Sequence, residues 1–171
     1  MRVLIISLPR TGSNSLMKKY SNDYNLEMFG EPYNKINKYI WTENDYSKDN
    51  VVVKTIISQT PNDENNVDFW FNKSKNYDKV ILLSRKDLNA CAESCAFLSY
   101  NLKNGFKFNE KYEWYLTPNM RETITYINKC QKDLEDLSNL LNIEIIYYED
   151  IYDLKSNERL RVKNYKPEKL I

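Results

Sequence analysis

Four short runs constrain the fold of this chain more than any other feature: RVLIISL (residues 2–8), VVVKTII (51–57), KVILLS (79–84) and IEIIYY (143–148). Each is rich in β-branched residues and lacks the alternation of a strand with one wet face, so each reads as a strand buried on both faces. LEMF (26–29) is a weaker fifth. The segments between them carry helical spacing. Residues 13–20 start right after the loop that follows the first run, 65–74 carry Val67, Trp70 and Phe71, and 87–102 carry Leu88, Cys91, Cys95 and Leu98. The longest, 119–141, brings back Met120, Ile124, Ile127, Leu134, Leu137 and Leu141 along one face, after a Thr117-Pro118 start.

Strand and helix in alternation predict a doubly wound α/β domain with a mainly parallel five-stranded sheet flanked by helices. Such sheets bind ligands at the carboxyl ends of their strands. The 171 residues fit one domain spanning 1–171. Residues 22–50 read as a polar, aromatic-rich excursion over that edge, and 155–171 as a polar, basic C-terminal extension.

A net charge of +1 sets up no field toward nucleic acid or membrane, so any anion site is local. No apolar run approaches the roughly 18 residues of a membrane span. Residues 1–8 read as a strand and not as a signal peptide, which predicts a cytoplasmic protein. The chain has no histidine, which removes every mechanism built on an imidazole base. Cys91 and Cys95 share a helix face but have no histidine to complete a metal site, so no metal is expected and the three cysteines read as small buried side chains.

Two stations carry the candidate chemistry. The first is Pro9-Arg10-Thr11-Gly12-Ser13-Asn14-Ser15, directly after the first strand. Pro9 ends the strand, Gly12 permits a sharp turn, and the following helix aims free N–H groups at the loop. Arg10 adds a fixed charge, and Ser13 and Ser15 add hydroxyl donors. The plainer reading is an ordinary strand-to-helix turn with Ser13 as N-cap. The loop is not GxxxxGK[ST], since it has one glycine and no lysine after it. The second station is VILLSRKDLNACAES, where Arg85 ends a strand and Ser94 lies nine residues on. The two either clamp one phosphate between them, or Arg85 pairs with a surface acid while Ser94 packs in a helix interface.

Together the stations resemble the sulfotransferases that use 3′-phosphoadenosine 5′-phosphosulfate (PAPS), whose fold is three-layered and P-loop-like. The segment from Pro9 to Ser15 is similar to the family loop that binds the 5′-phosphosulfate, and Arg85 with Ser94 is similar to its 3′-phosphate pair. Tyr148-Glu149-Asp150 resembles the family's strand-end YED motif. The resemblance spans residues 2 to about 152 and is closer to carbohydrate and protein sulfotransferases with a glutamate base. The family's catalytic histidine and glycine-rich C-terminal motif, known from its cytosolic branch, are absent.

The resemblance assigns the base to Glu31, in a Gly-Glu-Pro turn where Gly30 and Pro32 would fix the backbone. Apart from the resemblance, Glu31 reads as a solvated turn carboxylate. Lys54, a cation inside VVVKTII, needs an anionic partner: an acid such as Glu31 or Glu149, or the sulfonate itself. The implied catalytic set is Glu31, Arg10 and Lys54. The implied PAPS-binding set is Pro9, Arg10, Thr11, Gly12, Ser13, Asn14, Ser15, Arg85 and Ser94. The acceptor is a hydroxyl compound, whether carbohydrate, peptide tyrosine or small alcohol. Tyr33, Tyr39, Trp41 and Tyr46 either form a platform for sugar rings or pack a polar loop. The competing expectations are a nucleotide kinase or NTPase on the same architecture, and an inactive module that binds PAPS without transfer.

Overall fold

All five apolar runs form strands in a computed structural model of the chain, which describes residues 1–34, 42–61, 65–103 and 120–151. They are β1 (Arg2–Ser7), β2 (Glu27–Gly30), β3 (Val51–Ile56), β4 (Lys79–Ser84) and β5 (Ile145–Tyr147). The strand order is β2-β3-β1-β4-β5, and every pairing is parallel. The helices are α1 (Ser13–Tyr24), α2 (Glu43–Tyr46), α3 (Asn66–Ser74), α4 (Leu88–Lys103), α5 (Met120–Leu141) and α6 (Tyr148–Ile151).

The unbroken apolar runs are explained by cover on both faces. Val3, Ile5, Val52, Ile81 and Leu83 meet Leu16 and Met17 of α1 on one side. Leu4, Ile6, Val51, Val53 and Leu82 face the other side, where Trp70, Cys91, Ala92, Ile127, Cys130, Leu134 and Leu137 of α3, α4 and α5 complete the main core. Fully burying one such side chain contributes about 1.5–3 kcal/mol, so the two layers lock the sheet between them.

Residues 22–50 hold more regular structure than their composition suggests. Helix α1 continues to Tyr24, where Asn25 ends it at a φ of 51°. Thr42 and Asp45 then form a reciprocal capping box that starts α2. Tyr39, Trp41, the Thr117-Pro118 helix start and the 155–171 tail lie outside the described residues.

Because all strands run the same way, the segments that follow them share one edge. That edge carries the loop after β1, Glu31 after β2, residues 57–60 after β3, Arg85 after β4 and α6 after β5. The chain crosses from β3 to β4 over the central β1, so the first loop sits where the winding reverses.

Candidate functional site

The first loop is held from within. The buried Thr11 hydroxyl donates to the Leu8 carbonyl at 2.9 Å, which makes Thr11 part of the loop's frame. Gly12 is the N-cap of α1 at φ 71°, a conformation that suits glycine, and no side chain caps the helix. Its carbonyl accepts from the Ser15 and Leu16 amides at 2.9 and 3.2 Å. Ser13 is therefore the first helical residue and not the cap. The Ser13 and Asn14 amides belong to the first turn, which has no acceptor of its own within the helix. No acidic residue lies in that turn to offset the positive helix end. Ser13 is buried, while Asn14 and Ser15 are exposed.

Arg10 reaches the second station. Its Nε donates to Ser94 Oγ at 3.0 Å, across 84 residues of sequence. Cys91 one turn earlier donates its thiol hydrogen to the Pro9 carbonyl at 2.8 Å. Helix α4 is thus tied to the loop by two side chains, and Ser94 partners Arg10 where the spacing had paired it with Arg85.

Arg85 has a separate partner. Its Nε lies 3.6 Å from Glu149 Oε1, too long for a hydrogen bond, and its guanidinium stands 5.4 Å from the Tyr148 ring. Glu149 also accepts from the Lys86 and Asp87 amides at 2.9 and 3.4 Å, and Lys86 pairs with Asp150. Tyr148-Glu149-Asp150 opens α6 just past the end of β5, and it clasps the β4–α4 loop. Asp87 caps α4 by accepting from the Ala90 amide at 2.9 Å. Arg85 and Ser94 stand at one edge, but each faces a different protein group, and the buried Arg85 Nε has no hydrogen-bond partner among the described residues.

Glu31 and Lys54 are brought together by strand register. Gly30 pairs with Lys54 across β2 and β3, and the Glu31 amide donates to the Lys54 carbonyl at 2.6 Å. The Lys54 ammonium donates to Glu31 Oε1. Oε2 accepts from Gln59 Nε2 at 2.8 Å and Asn34 Nδ2 at 3.0 Å. The Asn34 amide donates to the Glu31 carbonyl at 3.0 Å, closing a turn with Pro32 at its second position. Lys54 is 4% exposed, and the Glu31 side chain 23%. Burial pushes the Glu31 carboxyl upward, but the Lys54 charge and the bonds from Lys54, Gln59 and Asn34 outweigh it and hold the group below its ordinary value. Glu31 is therefore ionised near neutral pH, oriented, and a weak base while the ion pair persists.

Backbone conformation marks the same two positions. The non-glycine residues with positive φ among the described residues are Arg10 (64°), Glu31 (55°), Asn25, Asn50 and Asn142. Asparagine adopts this region more readily than arginine or glutamate, for which such geometry costs about 1–3 kcal/mol where the surroundings enforce it. The sequence had left the fixing of this turn to Gly30 and Pro32 together. A Cβ at Gly30 would only touch Met17 Cε at 3.8 Å, an ordinary contact, so the special conformation belongs to Glu31 itself.

Gln59 and Asn34 are the members of this cluster that sequence reasoning missed. Nothing in the sequence singled out Gln59, which is a polar residue three positions past the end of β3. Tyr33 packs edge-on against Tyr46, Phe69 and Trp70, with ring centroids 5.2–5.6 Å away. Tyr46 is buried in the main core and Tyr33 packs against it, so both belong to the core and not to an open platform, and burial pushes the Tyr33 phenol up to about 12. Cys91 and Cys130 are buried and Cys95 is half-buried, all as free thiols. Among the described residues no group of three histidine, cysteine, aspartate or glutamate side chains is placed to hold a metal ion, and no helix is long and apolar enough to cross a membrane. No protein-family model matches the chain, and no curated protein matches it either.

Proposed function

We propose that the chain is a PAPS-dependent sulfotransferase with a P-loop-like α/β fold, moving a sulfonate group to a hydroxyl acceptor such as a carbohydrate, a peptide tyrosine or a small alcohol. The observation that carries this reading is the gathering, on one sheet edge, of an uncapped helix start, Arg10, Arg85 and the Glu31–Lys54 pair. An anionic donor needs the first three. A hydroxyl nucleophile needs the fourth.

In the proposed reaction the acceptor oxygen attacks sulfur in line, and the bond from sulfur to the 5′-phosphate oxygen breaks. The acceptor proton passes to Glu31, and adenosine 3′,5′-bisphosphate leaves with the negative charge. Arg10 and the first amides of α1 stabilise the charge that builds on the 5′-phosphate. An ammonium has three hydrogens to donate, and Glu31 takes one from Lys54, so the same cation can also face the sulfonate. Shifting Lys54 toward that anion would loosen its hold on Glu31 and raise the basicity of the carboxylate when a proton has to be accepted. In this reading Arg85 binds the 3′-phosphate, the group that distinguishes PAPS from ATP.

The test is calorimetric titration of the full chain with adenosine 3′,5′-bisphosphate and with ATP–Mg, followed by transfer from ³⁵S-labelled PAPS to phenolic, saccharide and alcohol acceptors. Binding of the bisphosphate at least about tenfold tighter than ATP–Mg, with labelled product, supports the reading. Preference for ATP–Mg would assign the edge to a kinase or NTPase. Bisphosphate binding without transfer would make it a binding module.

A further inference from the structure

A carboxylate offers about four lone-pair positions, two on each oxygen. Among the described residues, Glu31 Oε2 has both of its positions taken, by Gln59 at 2.8 Å and Asn34 at 3.0 Å. Oε1 carries the Lys54 ammonium and keeps one position. The Gln59 amide cannot turn over to release Oε2, because its own oxygen is held on the far side. That oxygen accepts from the Ile56 amide at 3.2 Å and stands 3.4 Å from the Thr55 hydroxyl. The Ile56 amide is a donor only, so it fixes which end of the Gln59 side chain faces Glu31.

We infer that Gln59 is a positioning residue for Glu31, closing Oε2 so that an incoming hydroxyl delivers its proton to Oε1, beside Lys54. This deepens the proposed sulfotransferase reading and rests on it for the identity of the incoming group, while the lock on the carboxylate stands on geometry alone. Two consequences follow. The nucleophile is steered to the oxygen nearest the cation that would face the sulfonate, which sets the approach angle. The basicity of Glu31 is also set partly by a neutral side chain on a different loop. The groups that act on the carboxylate are Lys54 from β3, Gln59 from the loop after it and Asn34 from its own turn, and of these only Lys54 is charged.

The test compares wild type with Gln59→Leu and Gln59→Glu, following the Glu31 carboxyl carbon by ¹³C NMR titration of the full chain without nucleotide. Gln59→Leu removes one hydrogen bond to the ionised form, so the Glu31 midpoint should rise by about one pH unit, a tenfold change in proton affinity. Gln59→Glu keeps an acceptor for the Ile56 amide but sets an acid against Oε2, so the midpoint should rise further than in Gln59→Leu. This second variant preserves the turn if the leucine variant does not fold. A Glu31 midpoint unchanged in folded Gln59→Glu would overturn the inference, as would a rise in Gln59→Leu that exceeds it.

With PAPS and an acceptor present, the acid limb of the kcat/KM profile should move in the same direction as the NMR midpoint. A limb that stays put while the midpoint moves would overturn the steering of the nucleophile to Oε1. Shifted midpoints with no transfer by wild type would uphold the lock and refute the sulfotransferase reading, so the two failures are distinguishable.

Discussion

Removing the charge of Glu31 leaves Lys54 as an almost fully buried cation with no counter-charge among its described partners. In Glu31→Gln, the amide oxygen can still accept one hydrogen bond, but the Coulombic attraction is gone. Breaking one partner of a buried pair typically costs about 3–5 kcal/mol, so Glu31→Gln should cost about 3–4 kcal/mol. Lys54→Met should cost less, about 1–2 kcal/mol. Glu31 keeps its Asn34 and Gln59 bonds and is 23% exposed, and methionine refills most of the lysine volume. The double variant carries no buried charge at this position and should lie near Lys54→Met, giving a coupling of about 3 kcal/mol. Urea denaturation at pH 7 is the assay, with equal m-values required for all four proteins. At a slope of about 1–3 kcal/mol per molar, Glu31→Gln should lower the midpoint by more than about 1 M. Additive single-variant costs, within about 0.5 kcal/mol, would refute the ion pair as an energetic unit. A larger loss in Lys54→Met than in Glu31→Gln would refute the ranking by burial.

Other outcomes follow from the same geometry. Since folding holds the Glu31 carboxyl below its ordinary value of 4.5, its contribution is full above that pH and is lost as the pH falls through the folded value. The gap between wild type and Glu31→Gln should therefore close in acid, as read from denaturation midpoints between pH 7 and about pH 3. Gly12→Ala places a side chain at φ 71° and should cost about 1 kcal/mol while weakening adenosine bisphosphate binding; unchanged affinity would remove the loop from the site. Arg85→Ala should weaken the same ligand by about 1.5–3 kcal/mol in calorimetry, and equal affinity would mean that Arg85 serves only the clasp with Glu149. Thr11→Val removes the bond to the Leu8 carbonyl and should cost about 1 kcal/mol in denaturation without changing the formal charge of the site.

How far the site was legible varies from residue to residue. Lys54 announced itself, because a cation inside a continuous apolar strand must have an anionic partner. The choice between Glu31 and Glu149 was not legible, since it depends on which strand lies beside β3. Register gave Lys54 to Glu31, while β5 carried Glu149 to the far side of the sheet and to Arg85. Ser94 was singled out for its spacing from Arg85, yet the path of α4 past the first loop brings it to Arg10. Gln59 looked like any polar residue after a strand. Its importance lies in two hydrogen bonds, one to its own turn and one to a residue 28 positions earlier.

The sequence by itself determined the parallel α/β class, the strands and main helices, and the sheet edge on which the loops after the strands gather. These follow from local terms: β-branched runs of strand length, helical spacing between them, and a proline and glycine that end one element and begin the next. The tertiary structure alone decided the partners at that edge. It paired Glu31 with Lys54, Arg10 with Ser94 and Arg85 with Glu149, and it set Glu31 itself, between Gly30 and Pro32, at a positive φ. The physical reason is range. Elements are chosen by contacts within a few residues, but a buried charge takes whichever partner the strand order and register bring close to it.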